Sequence, residues 1–189
     1  MSELRPTPGQ TVGPFFGFAL PFGDGNELVE PGTPGSVRLT GTVYDGAGQP
    51  IPDALLEIWH AGPDGGVVQR SGALRRDGTF TGWGRCETDR EGSYWFRTLE
   101  PGPTEPGRPA MFAVALFARG LMDRLFTRIY LPDDEAALEA DPFLAGLEPE
   151  RRRTLVARRG PDGSLRHDIR MQGDGETVFL DFGGEIGGA

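Results

Sequence analysis

The middle of the chain consists of short runs in which apolar and polar residues alternate. From Val37 to Val43, every second residue is apolar or glycine, and the residues between them are polar. This alternation is typical of a strand with one buried face. The same pattern, or a short apolar run bounded by turn residues, predicts further strands over 54–59, 125–130, 165–171 and 176–182.

Two other segments predict strands of a different kind. Residues 84–99 predict a hairpin around the turn 89–92, which contains Asp and Gly. Residues 111–116 are nearly all apolar, which predicts a strand that is buried on both faces.

The helical signal is limited to residues 133–159. Acidic residues at 133–135 predict the start of a first helix, and Pro149 and Gly160 bracket a second with arginines in its last turn. A helical segment of this size is an insertion in a chain whose other elements are strands.

The two ends of the chain show no lasting periodicity. Residues 1–35 are rich in Pro and Gly and predict an extended N-terminal arm, while residues 183–189 predict a loose tail. The block 11–16 is too apolar for a free arm, so we expect it to pack on this domain or on a neighbouring chain. The pattern therefore predicts an all-β sandwich over 36–182, with an arm and a short helical insertion.

Composition supports a turn-rich β protein. The 189 residues include 30 Gly and 17 Pro, which suits many short connections, and the aromatic content of 10% argues against disorder. The net charge of −9 disfavours nucleic acid and an anionic membrane as partners. A single cysteine, Cys86, cannot form an internal disulfide, and no basic segment followed by an apolar run begins the chain, so a cytoplasmic protein is expected.

The sequence motifs show no complete catalytic centre. The only two histidines, His60 and His167, fall in no metal-binding spacing, and no Gly-x-Ser-x-Gly occurs. Cys86 next to Arg85 could be an activated thiol, although a buried structural cysteine is more common. An all-carboxylate calcium site is also open, although the Asp-Gly pairs at 45–46 and 174–175 are more simply explained as turns.

Several segments together carry a family resemblance: 11–16 (TVGPFF), 39–45 (LTGTVYD), 56–59 (LEIW), 116–120 (LFARG), 127–130 (TRIY), 167–173 (HDIRMQG) and 175–182 (GETVFLDF). In this order they resemble the intradiol ring-cleaving dioxygenases, and in particular those members with two homologous subunits, α and β, that act on protocatechuate. The resemblance implies a prealbumin-like β-sandwich. It also implies the cleavage of protocatechuate (3,4-dihydroxybenzoate) with O2 to 3-carboxy-cis,cis-muconate.

The resemblance also shows what is missing. In the catalytic β subunit of these enzymes, two tyrosines and two histidines hold a non-haem Fe(III). The matching positions here are Val67, Thr104, Met111 and Ala113, none of which offers a phenolate or imidazole donor. The chain therefore resembles the α subunit, with no metal ligands and no catalytic residues of its own.

The resemblance implies that this chain contributes to a pocket of the partner. The homologous β subunit would bind the Fe(III), and Thr11, Gly13 and Pro14 of the arm would line the protocatechuate pocket together with Arg128. An arginine suits an aromatic carboxylate because its guanidinium group stays charged and donates two parallel hydrogen bonds.

Two other functions are compatible with the residues. The chain could be a stand-alone prealbumin-like binding or adaptor domain without catalysis, which the matched arm and C-terminal block disfavour. It could also be a hydrolase that uses carboxylates such as Asp168 and Asp181, although carboxylates at strand ends are usually solvated.

Overall fold

The computed structural model describes residue 13, residues 15–69 and residues 79–182, and these form two β-sheets with short helices. In chain order the elements are α1 (Phe16–Ala19), β1 (Ser36–Tyr44), β2 (Leu55–Trp59), β3 (Trp83–Glu87), β4 (Ser93–Leu99), β5 (Met111–Phe117), β6 (Leu125–Tyr130), α2 (Glu135–Ala140), α3 (Pro142–Ala145), α4 (Pro149–Arg153), β7 (Arg158–Arg159), β8 (Leu165–Arg166) and β9 (Ile169–Arg170). The predicted all-β sandwich with a short helical insertion is confirmed.

The two sheets differ in how their strands are connected. Sheet 1 has the order β4-β1-β8-β7, and β9 pairs with β1 beyond the end of β8. Sheet 2 has the order β3-β2-β5-β6 and is antiparallel throughout. Sheet 2 is therefore a simple antiparallel layer, whereas sheet 1 is completed by short strands from the C-terminal part of the chain.

The core lies between the inner faces of the two sheets. Sheet 1 contributes Leu39, Val43 and Phe96, and sheet 2 contributes residues such as Ile58 and Phe112, all at most 1% exposed. These side chains face inward because the strands alternate strictly between the two faces. Burying each large apolar side chain stabilises the fold by about 1.5–3 kcal/mol.

The predicted hairpin over 84–99 is wrong in its pairing. The turn exists, since the Asp89 carboxylate accepts hydrogen bonds from the backbone N–H groups of Glu91 (3.0 Å) and Ser93 (2.8 Å). However, β3 pairs with β2 in sheet 2, and β4 pairs with β1 in sheet 1 over seven residues. The connection therefore crosses from one sheet to the other, because the long register with β1 satisfies more backbone groups of β4 than a local hairpin would.

The described part of the predicted arm is folded against the sandwich and is not extended throughout. The carbonyl of Gly25 accepts from the N–H of Arg85 in sheet 2 (2.7 Å), and Leu28 donates to the carbonyl of Arg97 in sheet 1 (2.8 Å). This segment thus satisfies backbone groups on the outer strands of both sheets. Thr11 and Pro14 lie outside the described residues.

The helical insertion agrees with prediction at its start and departs from it later. The Asp134 carboxylate caps α2 by accepting from the N–H of Ala137 (2.9 Å). The second predicted helix ends at Arg153 and not at Gly160, because a turn at residues 154–155 is followed by a return to extended backbone at residues 156–159. There Tyr130 donates to the carbonyl of Leu155 (2.8 Å), and Arg158–Arg159 forms β7.

The last predicted strands are present only in part. Residues 165–171 divide into β8 and β9, because the N–H of Thr42 bonds the Asp168 carboxylate (3.0 Å) where a backbone carbonyl would continue the ladder. Residues 176–182 form no regular strand, although Leu180 donates to the carbonyl of Phe126 (2.8 Å) and so follows the edge of β6. No helix in the described ranges is long and apolar enough to cross a membrane.

Candidate functional site

The outer face of sheet 2 carries the candidate site. Residues directly opposite each other on neighbouring strands project to the same face, so the strand registers give the rows of side chains across the sheet. One outward-facing row is Trp83, Trp59, Ala113 and Arg128, and the next is Arg85, Glu57, Ala115 and Phe126.

A groove runs along β5 because its outward side chains are small. Ala113 and Ala115 form the floor, while Trp59 on β2 and Phe126 on β6 stand on either side. The flanking strands are two strand spacings apart, roughly 10 Å, so the space between the walls can admit a flat ring. The groove has a volume of about 400 Å³.

The prediction that residues 111–116 are buried on both faces is wrong. Phe112, Val114 and Leu116 are buried, but Ala113 is exposed and Met111 is only half-buried. An apolar run of small and large residues cannot be told from a fully buried strand by its pattern alone. The outward face of β5 is in fact the floor of the groove.

The helical insertion packs beside one end of the groove. Tyr130, Leu144 and Leu155 form a second buried cluster, against which Met111 and Phe143 pack. This cluster lies beside the groove because Met111 is directly opposite Tyr130 in the pairing of β5 with β6. The helices therefore give the open sheet face a wall.

Arg128 occupies the groove next to that wall. Its Nη1 donates to the Tyr130 hydroxyl (2.9 Å), and its guanidinium group lies 5.1 Å from the centre of the Phe143 ring. Burial raises the pKa of Tyr130, and the hydrogen bond from Arg128 opposes that shift only in part, so Tyr130 is a neutral acceptor at pH 7. These contacts orient Arg128 but do not neutralise its charge.

A second cation, Arg124, lies on the same groove. Its guanidinium group is 4.8 Å from the centre of the Phe126 ring. Among the residues that the structure describes, neither Arg124 nor Arg128 forms an ion pair with a carboxylate. The unpaired charges among the described residues of the groove are therefore positive, although the whole chain carries a net charge of −9.

The one acidic side chain among the described residues of the groove is already paired. Glu57 accepts from Nε of Arg85 at 2.9 Å, and Arg85 also donates to the carbonyl of Leu20 (2.6 Å). Arg85 further lies near the rings of Trp83 and Phe22, which stack on each other. This cluster fixes the segment after α1 to sheet 2 and leaves Glu57 without a free negative charge to repel an anion.

The other residues considered as chemical groups are structural. His60 contacts the Thr98 hydroxyl through Nε2 (2.7 Å) and the carbonyl of Ala61 through Nδ1 (2.8 Å). Burial lowers the pKa of both His60 and His167 to about 4. Burial raises the pKa of Cys86 to about 11, so the thiol is not activated by Arg85.

Asp168 is also occupied by structural contacts. Its carboxylate accepts from the N–H of Thr42 and forms ion pairs with Arg166 (3.0 Å) and Arg158 (3.6 Å). A carboxylate held in this way is not available as the base of a hydrolase.

A family model described as "Dioxygenase" matches residues 13–173. The chain belongs to the intradiol dioxygenase family. It is 39% identical to the protocatechuate 3,4-dioxygenase alpha chain of Pseudomonas putida, over 95% of this chain and 98% of the relative. It is 36% identical to the alpha chain from Burkholderia cepacia, over 96% of this chain and 100% of the relative. The beta chain from Burkholderia cepacia is also 36% identical, but over only 65% of this chain and 55% of the relative.

Solved structures of intradiol dioxygenases share this fold. The dioxygenase domain of a carbohydrate-binding fusion protein from Streptomyces sp. SirexAA-E superposes with a TM-score of 0.54 at 26% identity, covering 89% of this chain and 99% of that domain. Hydroxyquinol 1,2-dioxygenase from Pseudomonas putida DLL-E4 superposes with a TM-score of 0.55 at 20% identity, covering 92% of this chain and 68% of that enzyme.

Two of the four positions that the sequence resemblance predicted to match iron ligands lie on the groove. Met111 and Ala113 occupy successive outward positions of β5, as a His-x-His pair on one face of a strand would. Val67 and Thr104 lie on two exposed loops. These loops are adjacent, since Gly102 donates to the carbonyl of Gly62 (2.9 Å) and a Cβ on Gly65 would be 2.1 Å from the Pro103 carbonyl oxygen.

The residues at these positions do not fit ferric iron. Valine and alanine have no donor atom, a thioether is soft, and a neutral hydroxyl is a weak ligand. Within residues 13, 15–69 and 79–182, no cluster of three or more His, Cys, Asp or Glu side chains could hold a metal ion.

The sequence-predicted pocket residues are only partly described. Arg128 lies on the groove, directly opposite Ala113 and near Met111. Gly13 has a φ of +85° with open space around its Cα, so the backbone there takes a conformation that favours glycine. Sequence reasoning missed Arg124, Trp59 and Ala115, and the available signal was the pair of alanines two residues apart in β5.

Proposed function

We propose that this chain is the α chain of a protocatechuate 3,4-dioxygenase and works beside a homologous β chain that binds the Fe(III). The observation that carries the proposal is the full-length similarity to α chains. It agrees with the prediction that the four ligand positions, at Val67, Thr104, Met111 and Ala113, hold no phenolate or imidazole donor. The complex would convert protocatechuate and O2 to 3-carboxy-cis,cis-muconate in the cytoplasm. In that complex the Fe(III) supplies the redox chemistry when it is bound in the β chain.

This chain supplies part of the wall of the partner's protocatechuate pocket. Arg128 is suited to the substrate carboxylate, because its charge is not neutralised within the described residues and its orientation is fixed by Tyr130 and Phe143. Thr11, Gly13 and Pro14 reach the same pocket from the arm. A guanidinium group orients a carboxylate through two parallel hydrogen bonds, so it can set which ring edge faces the reacting centre.

Two exposed aromatic side chains also support a partner chain. Phe15 is 73% exposed and Phe182 is 71% exposed, and both belong to segments at the ends of the described chain. Large exposed aromatic side chains mark interaction surfaces in soluble proteins. A homologous β chain would cover them.

The test is to express the chain alone and together with its β chain, and to measure iron, colour and ring cleavage in both preparations. The isolated chain should contain no stoichiometric iron and show no tyrosinate-to-iron charge-transfer absorption. The two chains should copurify as a coloured complex that consumes O2 with protocatechuate. Stoichiometric iron in the isolated chain, or a β chain that is fully active and never associates with it, would contradict the proposal.

A further inference from the structure

We propose that the groove on sheet 2 of this chain binds an aromatic carboxylate by itself, with no metal ion. The proposal concerns a binding site formed by this chain's own residues, so it goes beyond the proposed function, in which chemistry takes place in the β chain. It rests on the shape, the walls and the charge of the groove.

The shape selects a flat ligand. Ala113 and Ala115 leave the floor of the groove empty between two flanking strands, and the volume of about 400 Å³ falls in the range of small-molecule sites. No glycine or strained backbone is involved, so the space results only from small side chains on a regular strand. Larger residues at these two positions would fill it.

The walls select an aromatic ligand. Trp59 and Trp83 stand on one side, and Phe126 stands on the other. Trp59 is 48% exposed, which is a large exposed surface for an indole ring on a sheet that buries its other face. Aromatic rings attract one another through stacked and edge-to-face contacts, so a ring in this groove would gain contacts that water does not provide.

The charge selects an anion. Arg124 and Arg128 both line the groove, and Glu57, the only acidic residue among the described ones that line it, is paired with Arg85. Both arginines are held against aromatic rings, of Phe126 and Phe143, so their positions are restrained before a ligand arrives. A carboxylate on an aromatic ring matches both features, whereas a neutral diol would use only the walls.

The experiment uses the fluorescence of the tryptophan side chains that line the groove. Of the three tryptophans in the chain, Trp59 and Trp83 line the groove, while Trp95 lies on the outer face of sheet 1. Titration of the purified full-length chain with benzoate should quench its fluorescence to saturation, and Trp95→Phe should keep the quenching. Catechol, which has the ring but no carboxylate, should bind at least about tenfold more weakly.

Two variants locate the site, and a third is the matched control. Ala115→Leu fills the floor and Arg124→Ala removes a cation, so each should raise the dissociation constant for benzoate about tenfold or more. Arg38→Ala removes a cation from the ring of Trp95 on the opposite sheet and should leave the constant unchanged. Circular dichroism and urea unfolding show whether each variant is folded. If the chain is stable only with its β chain, the same titrations are made on the complex, where Ala115→Leu must reduce the quenching.

Some results would overturn the proposal. A folded chain with no saturable response to benzoate would do so, and so would equal affinities in the wild type and in Ala115→Leu. If Ala115→Leu weakens association with the β chain and leaves benzoate binding unchanged, the groove is a protein interface and the proposal is wrong. Benzoate binding by a chain that never associates with a β chain would support this site while contradicting the proposed function.

Discussion

Small residues in the two sheets are small for opposite reasons. In sheet 1, Gly41 has no side chain because a Cβ there would lie 1.7 Å from the carbonyl oxygen of His167 and 2.7 Å from the Tyr94 hydroxyl. In sheet 2, Ala113 and Ala115 are small although their side chains face the open groove. Sheet 1 uses a small residue to allow close packing, whereas sheet 2 uses small residues to leave a space.

Arg97 in sheet 1 differs in the same way from the two unpaired cations that line the groove in sheet 2. On the outer face of sheet 1, Arg38 and Arg97 both lie against the ring of Trp95, and Arg97 also pairs with Glu27 at 2.9 Å. On the outer face of sheet 2, Arg124 and Arg128 lie against rings with no carboxylate partner among the described residues. Paired cations serve the fold, and unpaired cations next to an empty space are available to a ligand.

The largest expected effect is a loss of stability when a side chain is added at the closely packed Gly41. Gly41→Ala should lower the free energy of unfolding by about 3 kcal/mol or more, because the new methyl group must displace a backbone carbonyl that has no flexible end. The matched change on the open face, Ala113→Val, should stay within about 0.5 kcal/mol of the wild type, since it adds a residue with high strand propensity at an exposed position. Urea unfolding of both variants measures the difference. Equal losses of stability would mean that the two positions are packed alike.

The two buried histidines should make the free energy of unfolding depend on pH. Burial lowers the pKa of both His60 and His167 to about 4, below the value of 6.5 for an exposed histidine. Between pH 4 and pH 6.5 the two histidines therefore bind more protons in the unfolded chain than in the folded chain. The free energy of unfolding keeps its full value above pH 6.5 and decreases as the pH falls toward 4. The loss should approach about 1.4 kcal/mol per pH unit for each histidine.

Urea unfolding at pH 7 and pH 5 measures this effect. His60→Gln, which can still bond the Thr98 hydroxyl, should reduce the loss of stability on acidification. A loss of the same size in the wild type and in His60→Gln would show that His60 does not contribute.

Removal of a cation from the outer face of sheet 2 should change the KM of the assembled enzyme. In the assembled enzyme, Arg128→Ala should raise the KM for protocatechuate about 10- to 100-fold, as expected for the loss of a hydrogen bond to a charged group, with iron content unchanged. Arg38→Ala, on the opposite outer face, should leave KM unchanged. Steady-state kinetics with parallel iron analysis tests both variants. An unaltered KM in Arg128→Ala would remove Arg128 from the partner's pocket.

Much of the fold follows from local pattern, because alternation and turn residues act over a few positions. The strands at 36–44, 55–59 and 125–130 and the start of α2 at its Asp134 cap were all predictable in this way. The pairing of β3 and β4 was not, since a turn of the same chemistry can join two strands of one sheet or connect two sheets. The end of α4 was also missed, because Tyr130, distant in sequence, draws residues 156–157 into extended backbone.

The candidate site likewise has one part that the sequence predicted and one part that it did not. The sequence by itself predicts the absence of iron ligands, because donor chemistry depends only on which residue stands at each position that the resemblance matches. It also singled out Arg128 through the family resemblance. Only the tertiary structure decided that Met111, Ala113 and Arg128 share one face, and that Ala113 and Ala115 lie open where an apolar run predicted burial. The physical reason is that the identity of a side chain is local, whereas the space around it depends on which strands, helices and loops pack beside it.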